Sequence, residues 1–219
     1  MKKAQVSKYY SPAEEKTNII SHALGFVLSI IATILLILHA AKFGIPRYTI
    51  SFAIFGISLM VLYAASTLYH SANIPLRRNR LKIFDHAAIY VLIAGTYTPF
   101  TLVTLTGTTG WAIFGVTWGA ALVGVVLKLF YTGRFSILST IMYVIMGAGG
   151  ILFAIKPLIN SLPSGGLYWL FVGGVAYIIG AILYSIKKIP FNHAIFHILV
   201  LVGSFCHFIS IFYFVLPNQ

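Results

Sequence analysis

The stretch FNHAIFHILVLVGSFCHFISIFYFVL, residues 191–216, joins a membrane-length apolar run to two imidazoles at its start. A helix that spans a bilayer needs roughly 20 mostly apolar residues, and the run after His197 supplies them without a charged side chain. His193 and His197 are four residues apart, so in a helix they share one face. The stretch therefore predicts a transmembrane helix with two candidate ligands where it enters the membrane.

The whole chain repeats this apolar character. Its 219 residues are 59% hydrophobic and 8% charged, with a mean hydropathy of +0.95, whereas soluble domains carry about 25% charged residues. Soluble classes are thereby excluded, and we predict an all-α, multi-pass protein of the cell membrane. Barrel strands are short and alternate in polarity, which these runs do not.

The apolar runs predict a bundle of seven transmembrane helices. Their boundaries fall at about residues 19–41, 49–70, 84–105, 111–131, 136–155, 167–186 and 194–216. Residues 19–216 thus form one transmembrane domain, preceded by a cytoplasmic segment, residues 1–18. Pro99, inside the third run, predicts a kink that could open a cavity.

The distribution of basic residues predicts the orientation. A net charge of +12 would suit a nucleic-acid partner, but the basic residues lie in short loops between apolar runs. We therefore predict no nucleic-acid partner and interpret them as topology determinants that face anionic headgroups. Twelve of the 15 lysines and arginines fall on the N-terminal side, and the others are Lys42, Arg47 and Lys156. The N-terminus is therefore expected in the cytoplasm and the C-terminus outside.

Ionisable residues from four different spans share the cytoplasmic half of the membrane in this topology. They are His22, His70, Asp85, His86, His193 and His197. Ionisable groups within a membrane are costly and generally mark functional sites. Their common depth therefore predicts a site.

Three of these histidines predict a metal centre. His193 and His197 can project toward a single ion. His70 completes a set of three that leaves a fourth position for water, an arrangement typical of catalytic zinc sites. Imidazole ligands suit zinc, while copper, iron and nickel stay open on ligand type alone.

Asp85 and Ser66 are candidates for the groups around the bound water. Asp85 is predicted either to act as the base for this water or to orient a ligand histidine. Ser66 lies four residues before His70 and shares its helix face. Its hydroxyl could hold Asp85, the water or a substrate carbonyl.

Structural interpretations stay open for each residue taken alone. A single histidine near a helix end can be interfacial, and we interpret His39 and His207 in this way or as partners in helix–helix hydrogen bonds. Asp85 could instead pair with Arg80 or Lys82, or cap the third span. For His22 and His86 the sequence does not decide between a structural and a functional role. Both lie at the depth of the site, so both are possible supporting residues of it.

The chain resembles the haemolysin III proteins, the bacterial branch of the progestin and adipoQ receptor superfamily. The resemblance rests on Ser66-xxx-His70, Asp85 and His193-xxx-His197, within the segments EEKTNIISHALG, FDHAAIYVLIAGTYTPF and IPFNHAIFH. It implies seven helices, a cytoplasmic N-terminus, and a zinc ion held by the three histidines with the aspartate and serine around its water. Glu15, Asn18 and His22 match a further family pattern, which makes them possible supporting residues of the site.

Three functions follow as hypotheses. The resemblance implies ceramidase-like chemistry, which corresponds to a zinc-dependent hydrolase of lipid amides or esters with a membrane lipid as substrate. The family name implies a cytolysin or channel instead. The third hypothesis is a lipid-responsive sensor in which the zinc is structural.

Overall fold

The computed structural model describes residues 9–131 and 136–217. Within these ranges the chain forms seven α-helices and no β-strand. The helices are α1 (Pro12–Ala41), α2 (Pro46–Ser71), α3 (Pro75–Pro99), α4 (Thr108–Tyr131), α5 (Ser136–Ser161), α6 (Ser164–Ser185) and α7 (Asn192–Phe214). Residues 1–8 and Arg134, which contribute to the predicted charge bias, lie outside the described ranges.

Two helices begin earlier than hydropathy predicts. α1 begins at Pro12 rather than near residue 19, because Ser11 caps it and accepts a hydrogen bond from the Glu14 N–H at 3.3 Å. α3 begins at Pro75 rather than near residue 84. Both added segments are polar helical turns outside the apolar runs, so Glu14 and Asp85 lie inside helices. Asp85 consequently does not cap the third span.

Six of the helices are long and apolar enough to cross a membrane. α5 is bent by 50° between Ser139–Gly150 and Ala154–Ser161, and these two segments together make a seventh span. Pro157 has no N–H to donate to the carbonyl oxygen of residue 153, so one helical hydrogen bond is missing at the bend. The structure thus has the seven spans that the sequence predicts when the bent α5 is counted as one span.

The outer surface of the bundle is apolar. Leu38, Val116 and Phe130 are 60%, 72% and 73% exposed, whereas polar residues such as Asn18 and Ser66 are fully buried. An outer surface of this kind suits lipid rather than water. The chain is therefore a multi-pass membrane protein.

Small residues let the first three helices approach closely. A Cβ atom on Gly56 of α2 would lie 2.3 Å from Oγ1 of Thr33 on α1. A Cβ on Gly95 of α3 would lie 2.3 Å from Oγ of Ser58 on α2. These contacts need glycine, as is common where membrane helices pack backbone to backbone.

The third span ends in a π-helical turn, Phe100–Thr104, directly after Pro99. The Leu105 N–H donates to the Phe100 carbonyl oxygen at 2.8 Å, which closes the wider turn. Such turns occur frequently at functional sites. Tyr97 and Thr101, on either side of the proline, line an internal cavity, so the backbone is irregular where the sequence predicted a kink.

Candidate metal centre

Three buried histidines converge where α2 ends and α7 begins. Each of His70, His193 and His197 offers one ring nitrogen, and these nitrogens all lie within 4.8 Å of one another. Nε2 of His70 is 3.0 Å from Nε2 of His193. Two nitrogens on a tetrahedral zinc at ~2.0–2.1 Å would be about 3.3 Å apart. The three side chains therefore fit a single metal ion.

The start of α7 is fixed by its neighbours. Phe191, just before the helix, has a left-handed backbone with φ 56°, which is a strained conformation for a residue of this size. The Asn192 side chain donates to the carbonyl oxygen of Tyr184 at 2.8 Å and so joins α7 to the end of α6. The His193 N–H donates to a Glu14 carboxylate oxygen at 3.3 Å, and this acid satisfies a backbone donor that the first helical turn leaves open.

Glu15 orients His70 from α1. Its Oε2 lies 2.7 Å from Nδ1 of His70. Because a carboxylate only accepts, Nδ1 carries the proton and Nε2 keeps its lone pair for a metal. A carboxylate behind a ligand imidazole fixes the ring and raises its basicity. The Asn18 amide nitrogen lies 3.5 Å from the same Nδ1 and packs against the ring.

A buried arginine supports this carboxylate. Arg78 of α3 is 1% exposed, and its guanidinium forms an ion pair with Glu15. It also donates to carbonyl oxygens at the end of α2, those of Tyr69, His70 and Ala72. The arginine thus ties the start of α3 to the helix end that carries His70.

Tyr10 covers the cluster from the end of the bundle that carries the N-terminus. Its ring stacks on His193 with a centroid distance of 4.7 Å. Burial raises the pKa of Tyr10, so the phenol stays neutral. The neighbouring Tyr9 hydroxyl donates to the carbonyl oxygen of Asn73 at 3.1 Å and holds this segment against the end of α2.

Asp85 and Ser66 lie beside the cluster rather than within it. Asp85 is buried on α3, and its Oδ2 is 3.9 Å from Nε2 of His86. The Ser66 hydroxyl is fully buried and close to the Asp85 carboxyl, but the two do not reach hydrogen-bonding geometry. Their predicted roles around a metal-bound water stay predictions.

His22 packs directly on His197, one of the three candidate ligand histidines. Its ring is parallel to that of His197 at a centroid distance of 3.5 Å, and it is nearly perpendicular to the Tyr63 ring at a centroid distance of 5.1 Å. Neither nitrogen of His22 has a hydrogen-bond partner among the described residues. His22 therefore supports the cluster by packing.

A cavity of about 310 Å³ leads from the cluster into the bundle. Its near end is lined by Asp85, His86, His193 and His197, and its far end reaches Thr101 and His207. Most of the remaining lining side chains are apolar. Three residues that line the cavity are also exposed on the outside of the bundle: Leu152 of α5, and Phe171 and Val175 of α6. The cavity therefore approaches the outer surface between these two helices.

Sequence reasoning missed three contributors to the site: Tyr10, Glu14 and Arg78. The sequence could have pointed to Glu14, because the chain has only three acidic residues and Glu14 is adjacent to Glu15. Glu15, Asn18 and His22 also follow helical spacing, which places them on one face. Nothing in the sequence pointed to Arg78 or Tyr10, because their burial depends on helices that are distant in sequence.

Comparisons with known proteins identify the family. Residues 10–208 match the family described as "Haemolysin-III related". The chain is 46% identical to "Hemolysin-3" of Bacillus cereus over 94% of its length and 93% of that protein. It is 47% identical to "Hemolysin-3 homolog" of Bacillus subtilis strain 168, over 92% of its own length and 94% of that protein.

A more distant similarity extends beyond bacteria. The chain is 26% identical to the human "Monocyte to macrophage differentiation factor" over 95% of its length and 88% of that protein. This agrees with the distant relation to the progestin and adipoQ receptors that the motifs implied. With the family match covering nearly all seven helices and the histidine cluster, the chain belongs to the haemolysin III family.

Proposed function

We propose that this protein is a zinc-dependent hydrolase of lipid amides. The observation that carries the proposal is the convergence of three imidazoles, two of which, His193 and His197, line the wall of an apolar, lipid-adjacent cavity. A site that only stabilised the fold would have no need of such a cavity. A substrate that resides in the membrane could reach it between α5 and α6.

The donor set supports a catalytic rather than a closed metal site. Three imidazoles leave a fourth coordination position, as in catalytic zinc centres. When bound there, zinc would supply a Lewis acid that activates water and polarises a carbonyl group. The preference for zinc over other imidazole-binding metals rests on ligand type and on the family resemblance.

Asp85 is the candidate general base and acid. Its carboxyl lines the cavity beside His193 and His197, where it could accept the proton of an attacking water and pass it to the leaving amine. The Ser66 hydroxyl is fully buried beside Asp85 and is not part of the cavity lining, so it could hold the Asp85 carboxyl rather than the substrate. The apolar cavity would hold the acyl chain and exclude bulk water.

The test is turnover of a ceramide or another N-acyl lipid by the purified protein in vesicles. Asp85→Asn should reduce turnover by at least about a hundredfold, as expected for a general acid–base group, while metal content stays at the wild-type level. His39→Phe, which changes an ionisable residue outside the cavity lining that packs on Phe212, is the control and should keep activity. Absence of turnover by the wild type on N-acyl lipids and lipid esters would contradict the proposal.

Pore formation is the second candidate, and the names of the bacterial relatives favour it. It predicts that the pure protein makes liposomes of non-hydrolysable lipids leak. Leak that persists in His197→Ala would separate the pore from the histidine cluster. A hydrolase would leave such liposomes intact. It would cause leak only in liposomes that contain a hydrolysable N-acyl lipid, and that leak would disappear with Asp85→Asn.

A further inference from the structure

Lys128 places a positive charge at the end of the cavity nearer to the histidine cluster. It lies one turn before the end of α4 at Tyr131, where a lysine side chain ordinarily extends along the helix toward the headgroups. Here the side chain is turned into the bundle, because Lys128 is 5% exposed whereas the adjacent Leu129 and Phe130 are 51% and 73% exposed. A charged residue inside a membrane span is costly and generally marks a functional site.

The ammonium group of Lys128 lies at the cavity wall. Its Nζ donates to Oγ of Ser139 on α5 and is 5.6 Å from the centroid of the Tyr143 ring. All three of these residues line the cavity. The Tyr143 hydroxyl donates to the carbonyl oxygen of His86 at 2.9 Å, and His86 lines the cavity next to Asp85. The charged end of the lysine therefore lies among lining residues, on the wall that continues from Asp85.

Lys82 of α3 adds a second positive charge at this end of the cavity. It precedes His86 by one turn and shares its helix face, and it lies within electrostatic range of Lys128 and of Asp85. Asp85 is the one carboxylate in the cavity lining that the described residues form, and the other two acids of the chain do not line it. This carboxylate offsets one of the two ammonium charges, so a net positive charge favours an anionic ligand.

The surroundings of Lys128 suit the phosphate group of a lipid. An ammonium group carries three N–H donors, so it can serve Ser139 and an oxygen of a ligand at the same time, and lysine is a common binder of phosphate. In a bilayer the lipid phosphates lie at the ends of the spans, which is the level of Lys128 near the end of α4. Most other residues that line the cavity are apolar, so the same cavity can hold an acyl chain.

We propose that Lys128, supported by Lys82, binds the phosphate group of a lipid whose acyl chain occupies the apolar cavity. The binding site itself stands on the two lysines and the cavity. Only the next step rests on the proposed function: if the protein is a hydrolase of lipid amides, its substrates are N-acyl lipids that carry a phosphate group. The lysines would thus select among lipids by a feature that the metal centre does not hydrolyse.

The test compares lysophosphatidate with the monoacylglycerol of the same acyl chain, which lacks only the phosphate group. Each lipid displaces a fluorescent monoacylglycerol from the purified full-length protein in maltoside micelles, which contain no phosphate. The wild type should bind lysophosphatidate at least about tenfold more tightly, as expected for a hydrogen bond to a charged group. The ratio of the two affinities is the phosphate preference, and it is compared between variants so that partition of the lipids into micelles cancels.

Variants separate the lysines from general packing. Lys128→Met keeps the length of the side chain without its charge, and it should lower the phosphate preference about tenfold or more while monoacylglycerol still binds. Lys82→Met should lower the preference by about threefold, as expected for a charge that is partly exposed. Lys156→Met is the matched control, because Lys156 is exposed on α5 and does not line the cavity, and it should leave the preference unchanged.

Absence of a phosphate preference in the wild type, or its survival in Lys128→Met, would overturn the proposal. If Lys128→Met does not fold, Lys82→Met decides, and an unchanged preference in that variant counts against the site. His197→Ala should keep the preference, since its loss there would place the phosphate on the metal instead. Displacement of the probe by inorganic phosphate as strongly as by lysophosphatidate would overturn the lipid part.

The outcome for this site is distinguishable from the outcome for the proposed function, because the assay measures binding and needs no turnover. Phosphate preference without turnover of any N-acyl lipid would leave the Lys128 site standing and refute the hydrolase. Turnover without phosphate preference would do the reverse.

Discussion

Glu15→Gln tests how the bundle prepares its histidine cluster. Glu15 contacts two groups at once, Nδ1 of His70 at 2.7 Å and the buried guanidinium of Arg78. Glutamine keeps the size of the side chain and one acceptor oxygen, but it loses the negative charge. The substitution therefore separates the electrostatic role of Glu15 from its packing.

We expect Glu15→Gln to lower both the affinity for metal and the free energy of unfolding. Removal of a carboxylate behind a ligand histidine typically weakens metal binding by 10–100-fold, and we expect about tenfold because the glutamine oxygen still accepts from Nδ1. Loss of one partner of a buried ion pair costs about 3–5 kcal/mol of unfolding free energy. Arg78 keeps its three carbonyl acceptors and the ring faces of Tyr9 and Tyr69, so we expect a loss of about 2 kcal/mol.

Competition with a zinc chelator measures the affinity, and thermal unfolding in detergent measures the stability. Glu14→Gln is the matched control, because it removes the neighbouring acid, whose carboxylate accepts from the backbone N–H of His193 rather than from an imidazole ring. The double variant Glu15→Gln with Arg78→Gln removes both charges of the ion pair. It also removes the donor to the carbonyl oxygens of Tyr69, His70 and Ala72, so its stability should fall further while its zinc affinity stays low.

The reasoning is refuted if Glu15→Gln binds zinc within twofold of the wild type. That result would mean that the carboxylate near His70 does not tune that ligand. Glu14→Gln keeps an acceptor for the His193 N–H, so it should weaken zinc binding less than Glu15→Gln does.

Two further predictions concern packing and access. Gly56→Ala should destabilise the α1–α2 contact by about 1–3 kcal/mol, because its Cβ would meet Thr33, whereas Gly115→Ala, with nothing within 4 Å, should not lower the thermal unfolding temperature. Equal shifts for the two variants would contradict this. Tyr10→Ala should speed zinc release to a chelator by about tenfold, since the ring stacked on His193 is lost; an unchanged release rate in stopped-flow measurements would show that Tyr10 does not shield the cluster.

The sequence predicted the three histidines because two regularities combine. Helical spacing puts His193 and His197 on one face, and the positive-inside bias puts His70 at the same depth. Both depend on local sequence and on the number of spans. The structure brings the three side chains together as that combination requires.

Other parts depend on contacts that one sequence does not encode locally. Hydropathy marked the apolar part of α3 but not its start at Pro75, because the polar first turns are held by Arg78 beneath the end of α2. Arg78 was counted among topology determinants, yet it is buried against Glu15. The pairing of these two residues joins helices far apart in the chain, so no spacing rule predicts it.

Histidines showed the same limit. The interpretation of His207 as a helix–helix hydrogen-bond partner agrees with its bond to the carbonyl oxygen of Leu170 on α6, but the sequence did not show that this residue also lines the cavity. His39 packs on Phe212 at a centroid distance of 4.5 Å, away from the cluster. The two residues differ in which helix face they occupy after folding, and residue type alone gives no sign of that.

The most direct test of the metal centre is elemental mass spectrometry of the protein purified without chelators. Wild type, His197→Ala and His39→Ala should be measured together. We predict close to one zinc per chain in the wild type and in His39→Ala, and loss of the metal in His197→Ala. Wild-type protein without metal, or His197→Ala with undiminished zinc, would contradict the assignment of the three histidines as ligands.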